Sequence, residues 1–242
     1  MAARTIRFGE CTLDIHYDIV NMSGQKDIIF LHGWGSSKEI MKRAFEDKFQ
    51  NLRHIYIDMP GFGKSPNNEI LTTNDYANIM ATFLDALNSD KFAIVGHSFG
   101  GKVATLLKPK NLILLSSAGI PQAKSLSVKL KIAVFKLLKP LGFSYLYRFF
   151  ATKDAKGMPK NMYETLKNVV DEDFSHIFTN YHDKTFIFWG KDDTATPLRA
   201  GEIIASLVTN NVFTVLDGNH YFFLDNQNAQ EIEKICLEKF SS

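Results

Sequence analysis

The chain has 242 residues, 45% of them apolar, with a net charge of +2: an ordinary globular composition that fits one sizeable core, with or without an insertion. That charge is too small to argue for nucleic acid. No apolar run reaches the roughly 18 residues of a membrane span, and the N-terminal MAARTIRFGECTLDIHYD lacks the apolar centre of a secretory signal, so a cytoplasmic protein with no membrane insertion is expected. Cys11 and Cys236 stand far apart and read as free thiols, with neither a metal-ligand spacing nor a disulfide framework; no metal and no cofactor are expected.

Along the chain, TIRFGECTLDIHYDIV (5–20) alternates loosely and predicts two short edge strands. DIIFL (27–31) is an apolar run closed by His32-Gly33. Residues 38–49 predict a helix with Ile40, Met41, Ala44, Phe45 and Phe49 on one side. HIYID (54–58) is a further strand, closed by MPGFG. Thr72 opens a helix through a Thr-x-x-Asp start of capping-box type, and Tyr76, Ile79, Met80, Phe83, Leu84 and Leu87 follow at helical spacing. FAIVG (92–96) runs into a glycine-rich turn and a helix ending near Pro109. LILLS (112–116), TFIFWG (185–190) and VFTVL (212–216) are buried strands, and helices are predicted near 198–207 and 228–240. Short β-rich runs separated by amphipathic helices imply a mainly parallel sheet covered on both faces. Residues 119–178 break that rhythm and read as a helical cap inserted over the carboxyl edge of the sheet, leaving 1–118 and 179–242 as the core.

The turn after FAIVG has a chemical reading. Gly96-His97-Ser98-Phe99-Gly100 fits G-x-S-x-G, in which a serine sits on a tight strand-to-helix turn with its hydroxyl lifted off the sheet edge. A Cβ at Gly96 or Gly100 would collide with neighbouring backbone. Strand before and helix after make Ser98 a candidate nucleophile rather than a residue of a merely structural turn. A serine hydroxyl needs a base to take its proton. His97 adjoins the serine but points elsewhere if Ser98 holds the apex, and His176 and His182 fall near the end of the cap. His220, in LDGNHYFF just after VFTVL, lies on a loop over the same sheet edge and is the candidate base. The acid that orients it should follow TFIFWG, where Asp192 and Asp193 are adjacent and spacing does not separate them. Negative charge developing on a carbonyl oxygen calls for two N–H donors. Phe99, following the nucleophile, and Trp34, in His32-Gly33-Trp34-Gly35, stand where backbone donors are needed. His32 reads as a structural histidine of that loop.

Taken together, HGWG (32–35), DMPGFGKS (58–65), GHSFGG (96–101), WGKDDTATP (189–197) and GNHYFFLD (218–225) resemble the α/β-hydrolase family, in the family's order and over nearly the whole chain except the cap. The resemblance implies the α/β-hydrolase fold with a short cap. It also maps the family acid of W-G-x-x-D-x-x-x-P onto Asp193, with Pro197 completing the segment. A serine nucleophile departs from the haloalkane dehalogenases and epoxide hydrolases, which use aspartate. Within the family the chain resembles small serine carboxylesterases, the pimeloyl-carrier-protein methyl ester esterase and the ring-cleavage-product C–C hydrolases. The C–C hydrolases usually carry Asn where this chain has His97, and Pro-Gly where it has Ser36-Ser37. The implied activity is hydrolysis of a small or medium acyl ester through an acyl-enzyme. C–C hydrolysis of a dienoate and a non-catalytic binding role are the alternatives.

Residues 121–170 hold nine Lys and one Arg against one Asp and one Glu, a local net of +8 that leaves the rest of the chain at −6. A solvated outer face is the plain reading of this segment. A docking surface for an acidic carrier protein or an anionic substrate, or for a membrane surface, are the others. The partners expected are therefore a small-molecule ester and an acidic carrier on the basic cap, without nucleic acid, in a monomer or dimer.

Overall fold

The apolar runs fold into eight strands: β1 (Ala2–Phe8), β2 (Cys11–Val20), β3 (Asp27–Leu31), β4 (Arg53–Ile57), β5 (Ala93–His97), β6 (Asn111–Leu115), β7 (Lys184–Gly190) and β8 (Asn211–Leu216). They form one sheet in the order β1-β2-β4-β3-β5-β6-β7-β8. β1, β2 and β4 pair antiparallel, and every pair from β4 to β8 is parallel. This computed structural model describes residues 2–121 and 158–240. The predicted cap at 119–178 therefore falls largely outside the described residues.

Strand periodicity builds two cores. Ile29, Ile94, Leu112, Leu114, Ile187 and Trp189 face one side of the sheet, and Ile28, Phe30, Val95, Ile113, Phe186 and Phe188 face the other. The first side is covered by α2 (Thr73–Ala86), α3 (Phe99–Leu107), α4 (Lys160–Val169), α5 (Ser175–Thr179) and α6 (Leu198–Leu207). The second is covered by α1 (Lys38–Phe45) and α7 (Asn226–Lys239). Central strands buried on both faces explain why their sequences read as continuous apolar runs. The expected capping box is present: Asp75 N–H donates to Thr72 Oγ1 at 3.2 Å and Thr72 N–H to Asp75 Oδ2 at 2.8 Å.

Three local expectations are corrected. VFTVL forms β8, the far edge of the sheet, where no residue is fully buried and Val215 is exposed. Only β1 of the N-terminal pair is an edge strand, because β2 is inserted between β1 and β4. The first helix ends at Phe45 rather than 49. Phe49 adopts φ 49°, outside helical space, yet stays fully buried, so its apolar side chain continues the helical pattern after the helix has stopped.

The first helix after residue 158 is well anchored. On α4, Asn161 Nδ2 donates to Asn67 O at 2.9 Å, Thr165 Oγ1 accepts from Leu71 N–H at 3.0 Å, and Asn168 Nδ2 donates to Leu71 O at 3.2 Å. One helix face thus holds the polar backbone of the loop that follows β4. Among the described residues no helix is long and apolar enough to cross a membrane.

Chain order reverses between β3 and β5: the chain passes from β3 to β4 on one side and from β5 to β6 on the other. Crevices at such a switch point, outside the carboxyl ends of the strands, are where open α/β sheets bind ligands. The loops that meet there are His32–Gly35 after β3 and the Ser98 turn after β5.

Candidate active site

Ser98 joins β5 to α3 with φ 50° and ψ −113°, a conformation that costs of order 1–3 kcal/mol for a residue with a side chain. Three backbone hydrogen bonds hold it there: Ser98 N–H to Leu115 O at 3.1 Å, and Gly101 and Ala118 N–H to Ser98 O, both at 3.0 Å. The flanking glycines are required by space. A Cβ on Gly96 would drive into the Gly100 carbonyl, and one on Gly100 into the carbonyls of Leu31 and His32. Ser98 is partly exposed in a neighbourhood that is otherwise buried.

His32 fixes the loop that faces this turn. Its Nε2 accepts the Met59 N–H at 3.1 Å, which leaves the ring proton on Nδ1 to be donated to Gly33 O at 2.8 Å. Burial pushes its pKa down to about 4, so the ring stays neutral. His32 is thus the structural histidine that the sequence implies. Trp34 follows with its ring edge-on to Phe62 at 4.8 Å and to Phe99 at 5.5 Å. Asp58 orders the neighbouring DMPGFGKS loop: its buried carboxylate accepts from Lys38 N–H at 2.8 Å, Lys64 N–H at 3.1 Å and Lys38 Nζ at 3.3 Å. Among the described residues, neither the Trp34 nor the Phe99 backbone N–H donates a hydrogen bond. Phe99 opens α3, where the first N–H groups of a helix have no partner of their own.

On the other side of the turn stand Asp193 and His220. His220 Nδ1 lies 2.7 Å from Asp193 Oδ2; the carboxylate is fully buried and the imidazole 15% exposed. Asp193 Oδ1 accepts from the Ala195 and Thr196 N–H groups at 2.8 and 2.9 Å, and Oδ2 from the Thr196 hydroxyl at 2.9 Å. Burial alone would raise the carboxyl pKa. Hydrogen bonding from His220 and Thr196 outweighs it and brings the value to about 2, so Asp193 is an anion. Asp192, by contrast, is exposed, and its backbone N–H bonds Gly218 O at 2.9 Å. The two adjacent aspartates that spacing left open thus have different surroundings, and only Asp193 meets His220.

The sequence reading missed Thr196 and Ser116. Thr196 Oγ1 lies within hydrogen-bond reach of Asp193, of Ser116 O at 3.1 Å and of His220 Nδ1 at 3.2 Å. Its only sequence signal was its place next to Pro197. His176, on α5 and bonded to Asn180, and His54, buried between Tyr56 and Phe49 in the far core, are engaged away from the site. Ser98 Oγ makes no hydrogen bond with a described residue, so Ser98 and His220 share one edge without being bonded to each other here. Among the described residues there is no group of three or more His, Cys, Asp or Glu able to hold a metal.

A mostly parallel sheet with helices on both faces, a strained serine after its fifth strand, and an Asp–His pair on loops after its last two strands together define an α/β-hydrolase scaffold. The chain belongs to the alpha/beta hydrolase family, whose sequence pattern matches residues 28–233. It is 26% identical over 252 residues to a 2-hydroxy-6-oxononadienedioate/2-hydroxy-6-oxononatrienedioate hydrolase of Pseudomonas putida, covering 88% of this chain and 87% of that one. A pimeloyl-[acyl-carrier protein] methyl ester esterase of Legionella pneumophila is 32% identical over 95 residues, 39% of this chain and 36% of that one. A thermophilic esterase from Thermogutta terrifontis superposes along the full length of both chains with a TM-score of 0.75 at 17% identity, a likeness of fold.

Proposed function

We propose that the protein is a serine hydrolase that cleaves a carboxylic ester of a small or medium acyl group through an acyl-enzyme. The observation that carries the reading is the pairing of a strained, partly exposed Ser98 with a buried, anionic Asp193 bonded to His220 at the same sheet edge. In this reading His220 takes the Ser98 proton as the hydroxyl attacks the ester carbonyl. Asp193 holds the Nδ1–H tautomer and stabilises the imidazolium that forms. The backbone N–H groups of Trp34 and Phe99 receive the oxyanion. His220 then protonates the departing alcohol, and the same ring activates the water that releases the acid. A serine and its base often lack a tight hydrogen bond in an empty site and close up only around substrate, so the unbonded Ser98–His220 pair is compatible with this role. Residues 119–178 would form the cap that shapes the acyl pocket, and their lysines would attract an acidic carrier protein.

A second reading has one observation in its favour: the Pseudomonas putida relative, similar over most of both chains, is named for a 2-hydroxy-6-oxo dienedioate substrate. Against it stands His97. The position where C–C hydrolases usually carry Asn is here filled by a buried ring that is hydrogen-bonded within the protein.

The test is turnover of neutral p-nitrophenyl esters, a carrier-protein methyl ester and a ring-cleavage dienoate by the wild type and by Ser98→Ala. The proposal expects ester turnover that Ser98→Ala abolishes, with loss on the order of 10^6 in kcat when a nucleophile of this kind is removed. Efficient dienoate cleavage with negligible ester turnover would replace it by the C–C reading. Unchanged ester turnover in Ser98→Ala would reject it outright.

A further inference from the structure

The mechanism above has no use for the residue beside its nucleophile. His97 is the last residue of β5, its backbone in register with Leu115 of β6, and it is 1% exposed. Its ring lies 4.6 Å from the His220 ring, 5.2 Å from Tyr221 and 4.8 Å from Phe223, centroid to centroid. That box is apolar and aromatic, and a phenylalanine would fill it. What a phenylalanine lacks is the contact His97 makes through Nε2, 3.0 Å from the main-chain carbonyl oxygen of His220.

The protonation of the ring follows from its surroundings. Burial, with the neighbouring His220 adding to it, pushes the His97 pKa down to about 3, so the imidazole is neutral at working pH. A neutral imidazole carries one N–H, and a carbonyl only accepts. The proton is therefore on Nε2, donated to His220 O. Nδ1 is left as an acceptor, buried and without a hydrogen-bond partner among the described residues. An unpaired buried acceptor destabilises the fold, and the cost is accepted on the side that faces the loop after β3. A Cβ built on Gly33 would stand 2.9 Å from His97 Nδ1 and 3.2 Å from Ser98 Cβ. One flat ring is thus wedged between the loop that carries Trp34 and the loop that carries His220.

We propose that His97 is a positioning residue. Its Nε2–H holds the His220 main chain at a set height over Ser98, and the opposite edge of the same ring spaces the Gly33–Trp34 backbone. Asp193 fixes the His220 side chain at Nδ1, and His97 fixes the backbone from which that side chain hangs. Two anchors at different points define where Nε2 of His220 lies, which one alone would not. The inference rests on the roles given to Ser98 and His220 under Proposed function.

Three variants separate this role from simple packing. In His97→Gln the side-chain amide nitrogen reaches the place of Nε2; in His97→Asn an amide of the same polarity reaches only the place of Nδ1; His97→Phe keeps the aromatic fill and loses the donor. The readouts are the second-order rate of labelling by a fluorophosphonate, and kcat and KM on a p-nitrophenyl ester, each per folded protein as judged by circular dichroism. Expected are losses on the order of 10- to 100-fold in labelling rate and kcat for the Asn and Phe variants, with KM nearly unchanged, as for a reacting group displaced by about 1 Å. The Gln variant should stay within about threefold of wild type, since it restores the one hydrogen bond at issue. Asn and Phe variants that label at the wild-type rate would overturn the proposal, and so would a Gln variant that falls as far as Asn. A wild type that takes no label at all would instead sink the serine-hydrolase reading, and this inference with it.

Discussion

Two buried charge clusters flank the serine turn, and they are built differently. On one side, Asp193 gathers its hydrogen bonds from its own loop and from one imidazole that still reaches solvent. On the other, Lys102, four residues beyond Ser98 on α3, sends its ammonium group 2.8 Å from Glu172 Oε2 and onto the Val169 carbonyl. The Thr73 hydroxyl closes on the same Glu172 oxygen, and the Lys102 ammonium lies over the Phe99 and Phe174 rings at 5.6 and 5.2 Å. Both clusters consist of ionisable groups brought together across long stretches of chain. In the first, the contacts converge on one buried carboxylate and, through it, on the partly exposed His220 ring. In the second, the contacts end on the Val169 carbonyl and on Glu172, which ties α2 and α3 to the segment that follows α4. In the proposed reading the first cluster orients one imidazole for chemistry, while the second fastens the serine-bearing helix.

Substitutions should pull the two apart. Asp193→Asn keeps the shape but loses the charge and the correct tautomer of His220, and kcat should fall on the order of 10^4-fold, the effect of the same change in a serine protease. Asp192→Asn, at an exposed side chain, should change kcat less than about threefold, within what surface substitutions usually do. Steady-state kinetics of the pair reads this directly, and a larger loss at Asp192 would reverse the assignment. Lys102→Met should do the opposite. Removing one partner of a buried pair leaves the other charge uncompensated, and with Glu172 28% exposed the cost should be about 2 kcal/mol, below the 3–5 kcal/mol of a fully buried pair. Chemical denaturation should show that loss while kcat of the folded protein changes little.

A smaller effect concerns acid. Asp193 has a folded pKa lowered to about 2, below the roughly 3.9 of an unfolded aspartate. Its contribution, about 2 kcal/mol, is therefore fully present above the unfolded value and is lost as pH falls from about 5 through the folded value. The stability gap between wild type and Asp193→Asn should narrow over that range. A gap that stays constant down to pH 2 would mean that the carboxylate is not held as an anion.

The same contrast explains what the sequence made legible. The elbow and the HGWG loop are readable because close backbone approach leaves glycines at fixed places, Gly96 and Gly100 on either side of Ser98 and Gly33 against His97. The strands are readable because burial on both faces makes continuous apolar runs. Strand order is not local, so β2 reads as an edge strand while it lies inside the sheet. Phe49 prolongs a helical pattern that the backbone has already left. Asp192 and Asp193 have the same chemistry and adjacent positions, and only burial and the hydrogen bond to His220 distinguish them. Lys102 and Glu172 are 70 positions apart, and Thr196 acts through its hydroxyl and its backbone N–H. Neither leaves a spacing to find.

The account depends most on Ser98 being activated, since the unbonded Ser98–His220 pair must close for chemistry to occur. Intact-protein mass spectrometry after treatment with a fluorophosphonate, followed by peptide mapping, tests this directly. The account predicts a single adduct on the peptide that carries Ser98 and none in Ser98→Ala. A folded wild type that takes up no label, or an adduct that persists in Ser98→Ala, would contradict it.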